Sequence, residues 1–173
     1  MSGAPTAEES TADGAERRSR ADYTGGVYGS MLAASVVIGV GTLGSLPRVE
    51  LVALLLMTGA VFWLAHVHAQ LFGARLAQGT VNGRAVLQVC REEWPILEAA
   101  VPPAVAVAIS PLLPLDMPGT LWLALSVAVA GQVGWSLAAA ARAGASGKQM
   151  AVSAAVNLLL GLLIVVLKII LKE

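Results

Sequence analysis

Five stretches of about twenty residues, each long enough to cross the hydrocarbon core of a bilayer as a helix, dominate the sequence. They cover 27–46, 51–72, 96–115, 120–141 and 150–171. The runs are continuous and do not alternate, so they do not read as strands of a membrane barrel. Lipid offers backbone N–H and C=O groups no partner, which leaves the helix as the only spanning form. The expected fold is therefore all-α: a polytopic transmembrane helical bundle of five spans within residues 23–173. Composition agrees, since 57% of the 173 residues are hydrophobic and 13% charged, too little polar surface for a soluble domain.

Residues 1–22 contain no apolar run and mix Glu8, Glu9, Asp13, Glu16 and Asp22 with Arg17, Arg18 and Arg20. Such a composition buries no core, and the segment reads as a disordered cytosolic tail. It lacks the basic-then-apolar order of a cleavable signal peptide, so the first span is expected to act as an uncleaved signal-anchor. Cys90 is the single cysteine, which excludes an intramolecular disulfide. The formal net charge of zero gives no argument for a nucleic-acid partner.

Where the charges fall matters more than their sum. With five spans and the N-terminus inside, eight of the eleven basic residues are cytosolic: Arg17, Arg18, Arg20, Arg75, Arg84, Arg91, Arg142 and Lys148. Arg48, Lys168 and Lys172 lie outside, so the bias favours a cytosolic N-terminus. The third segment holds Glu98 and Pro102, Pro103, Pro111 and Pro114, and is expected to be kinked. A re-entrant hairpin there is the alternative: it reverses the later spans yet keeps the same charge tally.

Between the second and third spans, 84–94 places Val86, Val89, Cys90 and Trp94 at three- and four-residue steps. This is the pattern of a helix lying on the membrane surface or packed on the bundle. Small residues recur at four-residue spacing as Ala130, Gly134 and Ala138 in the fourth span and as Gly25, Gly29 and Ala33 in the first. Ala124, Ala128 and Gly131 form an adjoining stripe, and this spacing lets helices approach closely in lipid. In the fifth span Ser153, Asn157 and Gly161 share a ridge. Asn157 is expected to hydrogen-bond to a neighbouring helix, and Lys168 to reach the interface.

Polar side chains inside spans are costly and mark candidate sites. His66, His68 and Gln70 close the second span and Glu98 opens the third, so His66 and Glu98 are expected in one leaflet at similar depth. His66 and His68 lie about 200° apart on a helix and cannot chelate one metal together. Pro102 and Pro103 cannot donate to the carbonyls of Glu98 and Ala99. A carboxylate beside freed carbonyls, facing an imidazole, would suit proton or cation relay. The plainer alternative is a structural hydrogen bond between helices. No zinc-protease, catalytic-triad or phosphate-loop pattern occurs, and nothing in the sequence calls for a cofactor.

The run F-W-L-A-H-V-H-A at the end of the second span and G-L-L-I-V-V-L-K-I-I-L near the C-terminus resemble small, uncharacterised integral membrane proteins of high-GC Gram-positive bacteria. The resemblance covers the chain from about Tyr23 and implies a membrane protein, with no catalytic residue to carry across. The expected role is a structural or interaction protein of the plasma membrane, partnering the bilayer and either itself or another membrane protein. A small proton- or cation-coupled transporter or channel using His66, Gln70 and Glu98 is the alternative.

Overall fold

The computed structural model describes the backbone of residues 7–44, 46–80 and 82–171. The side chains of Arg17, Arg18, Arg20 and Lys168, and all of Lys172, lie outside the described residues, as do residues 1–6. Among the described residues seven helices follow one another: α1 Ala7–Leu43, α2 Arg48–Gln78, α3 Gly83–Glu92, α4 Trp94–Glu98, α5 Val101–Ile109, α6 Met117–Arg142 and α7 Gly147–Leu171. A single 3₁₀ turn, Ser110–Leu112, ends α5. Five stretches are long and apolar enough to cross a membrane, with α3 to α5 and their 3₁₀ turn making the third, Gly83–Leu112.

The helix preceding the first crossing starts at Ala7, so its backbone is helical through most of the segment whose composition reads as a tail. At the other ends, Gly79 and Gly144 adopt φ of +75° and +65°. Their N–H groups donate to the Arg75 and Ala141 carbonyls, closing α2 and α6. A left-handed residue after a helix is what glycine adopts without a Cβ penalty.

Prolines explain why the third crossing is broken. Pro95, Pro102 and Pro118 each sit in the first turn of a helix, α4, α5 and α6 respectively, where no N–H is required. The chain bends at Glu93 and at Ala99–Ala100, where Ala99 N–H donates to the Pro95 carbonyl and Ala100 N–H to the Leu97 carbonyl. Asp116 caps α6, its Oδ1 accepting from Gly119 N–H at 2.7 Å.

The bent segment nevertheless crosses in full. At one end Gln70 of α2 meets Glu93. At the other, Arg48 at the start of α2 donates through Nε to Ser110 Oγ at 3.0 Å and through a terminal guanidinium nitrogen to the Leu115 carbonyl at 2.9 Å. Gln70 and Arg48 are separated by about 33 Å of helix, a bilayer core's thickness. A segment whose two ends meet those two residues does not turn back. α6 then returns beside α1, with Arg142 5.6 Å over the Tyr23 ring, and α7 crosses once more.

The core lies where α1, α2, α5 and α6 meet. Ala33, Ala34, Val37 and Val40 of α1 pack on Ala124, Leu125 and Ala128 of α6, with Leu51, Leu55 and Val107 completing the cluster. Glycines carry the closest approaches. A Cβ at Gly26 would fall inside the Trp135 indole, and one at Gly29 would lie 2.5 Å from the Ile96 carbonyl oxygen. In lipid, where apolar surface gains little by leaving solvent, this contact density is what holds helices together.

Candidate intramembrane polar site

The end of α2 spreads its polar residues around the helix. His66 Nδ1 donates to the Phe62 carbonyl at 3.1 Å, since that oxygen can only accept. Tyr28 of α1 covers the same place, its ring 5.2 Å from His66 and 6.3 Å from Phe62. His68 is exposed, with its ring stacked on Phe72 at 6.5 Å. Gln70 Nε2 donates to Glu93 Oε1 at 3.3 Å. Two turns earlier Trp63 Nε1 donates to the Cys90 carbonyl at 3.0 Å and meets Trp94 edge-on at 5.6 Å. These contacts hold α3 against α2, while α3 itself buries no residue.

Glu98 faces elsewhere. Ile96 and Ala99 pack on the glycines of α1, and Leu97 and Ala100 pack on Gly59 of α2. At 100° per residue those pairs occupy adjoining faces, which turns Glu98 away from both helices. It is exposed, and among the described residues no hydrogen bond or ion pair joins it to His66. The structure thus brings His66 to Tyr28 and Gln70 to Glu93, and leaves Glu98 and His68 on outer surfaces. Among the described residues no three of His, Cys, Asp and Glu converge as a metal site.

A second polar centre joins α6 and α7. Asn157 Nδ2 donates to the Ser153 carbonyl at 3.0 Å, and that carbonyl fixes which end of the amide is nitrogen. Asn157 Oδ1 is then an acceptor for Gln132 Nε2, at 3.3 Å, with the Asn157 carbonyl accepting from the same nitrogen at 3.2 Å. Gln132 is fully buried, and its Oε1 is left with no donor among the described residues. A buried orphan acceptor costs about 1–3 kcal/mol. Sequence reasoning marked Asn157 but passed over Gln132. The available signal was its standing as the one amide in the interior of an otherwise apolar run.

One turn from this pair, Ser136 on α6 and Ser153 on α7 line a cavity of about 680 Å³ between α1, α6 and α7. Tyr23, Tyr28 and Arg142 stand around it, and Val27, Met31, Ala139 and Ala140 supply its apolar wall. A second, apolar groove of about 570 Å³ runs between α6 and α7 past Ala130, Gly134, Leu158 and Gly161.

Fold and site define an α-helical multi-pass membrane protein with five crossings. No protein-family model, curated protein or solved structure matches the chain.

Proposed function

We propose that the protein is an interaction protein of the bacterial plasma membrane, in which two copies pair through the open face of α6 and α7. The observation that carries this is the position of Gly134. A Cβ there would meet nothing within 4 Å, and Ala130 and Ala138, one turn away on either side, are exposed with it. By contrast, Gly29, Ala124, Ala128 and Gly131 are spent inside the bundle. A small-residue ridge beside an apolar groove is the surface on which a second transmembrane helix gains most dispersion contact. The transport alternative lacks comparable support, because His66 and Glu98 lie on different faces and neither lines the cavity or the groove described above.

Orientation follows from the basic residues. Arg75, Arg84, Arg91, Arg142 and Lys148 gather at the end where α1 enters its crossing, against Arg48 at the other. The positive-inside rule makes the richer end, and the N-terminus with it, cytosolic.

Crosslinking in native membranes tests the pairing. The wild type should give a discrete dimer that Gly134→Leu abolishes. Gly73→Leu, at another glycine with open space around it, should leave it. Dimers that survive Gly134→Leu place the contact elsewhere.

A further inference from the structure

We infer that the cavity between α1, α6 and α7 is a binding site for an anionic phospholipid, with the headgroup phosphate on Arg142 and one acyl chain along Val27 and Ala139. Among the described residues Arg142 is the only formally charged one lining the cavity, and that described lining holds no carboxylate. A cation is therefore repelled and an anion attracted.

Shape and depth then select the kind of anion. The guanidinium lies 5.6 Å over the Tyr23 ring, at the last turn of α6. Stacking on an aromatic face holds its plane while leaving the N–H edge for bidentate bonds to phosphate. Ser136 lies six residues back along α6 from Arg142, about 9 Å deeper. Ser153, six residues into α7 from Gly147, lies at a matching depth. The Ser136 hydroxyl donates to the Val133 carbonyl at 3.1 Å, so at this depth it is the Ser153 hydroxyl that can donate to a glycerol or ester oxygen of a phospholipid. Apart from Thr24 and Tyr28 the remaining wall is apolar, and about 680 Å³ suits a headgroup with the start of a chain. A soluble anion would leave that apolar wall unused.

The site is also on the side of the membrane where such a lipid is attracted. Arg75, Arg84, Arg91 and Lys148 share this end of the bundle and raise the local concentration of anionic headgroups. None of these four lines the cavity, so they attract without selecting. Arg142 and the wall behind it do the selecting.

Native mass spectrometry of the full chain released from mixed phosphatidylglycerol–phosphatidylcholine nanodiscs tests this. Phosphatidylglycerol should stay bound in preference to phosphatidylcholine, at one molecule per chain. Arg142→Gln should reduce retention roughly tenfold, the worth of a charge-assisted bond. Arg84→Gln, an exposed basic residue at the same end, should leave retention unchanged. Ala139→Leu, which fills the wall without touching charge, should also reduce it, and far-UV circular dichroism checks that both variants stay folded. Millimolar glycerol 3-phosphate should not displace the lipid. Equal retention of the two lipids, equal loss with Arg84→Gln and Arg142→Gln, displacement by glycerol 3-phosphate, or retention unaffected by Ala139→Leu would each overturn the assignment. The pairing of two copies through the open face of α6 and α7 is not involved, so these results stand apart from the crosslinking test.

Discussion

Substituting alanine for either Gly29 or Gly39 adds the same methyl group to the same helix, yet the surroundings make the outcomes opposite. Both gain from leaving glycine in a helix, by about 1 kcal/mol on the aqueous scale. That gain is common to the two variants, so the difference between them isolates contact. At Gly39 the added Cβ meets nothing within 4 Å. At Gly29 it meets the Ile96 carbonyl oxygen at 2.5 Å and Ala99 Cβ at 2.9 Å. The oxygen belongs to backbone, so no rotamer relieves the clash, and α4 must move off α1. Overpacking of this kind costs about 1–3 kcal/mol. Gly29→Ala should therefore be less stable than Gly39→Ala by an amount in the upper part of that range. Reversible unfolding in mixed micelles, followed by the fluorescence of the four tryptophans, measures it. Equal stability, or a more stable Gly29→Ala, would refute the close α1–α4 packing on which the third crossing rests.

Other expectations follow from single contacts. A double-mutant cycle of Gln132→Leu and Asn157→Leu should give a coupling energy of about 0.6–1.7 kcal/mol, the range for interhelical hydrogen bonds in lipid. Gln132→Leu alone should cost less than this implies, because it also removes the orphan Oε1, and unfolding in micelles reads both. Arg48→Met should loosen the 110–116 turn, seen as faster hydrogen exchange there with 94–100 unchanged. Trp63→Phe keeps the ring packing but loses the bond to the Cys90 carbonyl, so exchange should rise across 83–92 only.

Length and hydropathy made the five crossings legible, and proline placement made the bend in the third legible, because both are local properties of the chain. Tertiary facing was not. The depths of His66 and Glu98 follow from counting residues along helices. Which way each points depends on how α2 and α4 are rotated, and that is decided by Gly25, Gly29 and Gly59 accepting Ile96, Ala99 and Ala100. The roles of Arg48 and Gln132 were hidden for the same reason, since each bonds to a residue on a different crossing.

The central claim is that the chain crosses a membrane five times, with the bent third segment passing through rather than returning. On a Cys90→Ser background, single cysteines at Pro47, Thr80, Leu113 and Ala143, all exposed between helices, report it through a membrane-impermeant maleimide added to intact cells. Positions 47 and 113 should react at once, and 80 and 143 only after the cells are opened. If 113 is protected together with 80, the third segment does not cross, and the account of the fold is wrong.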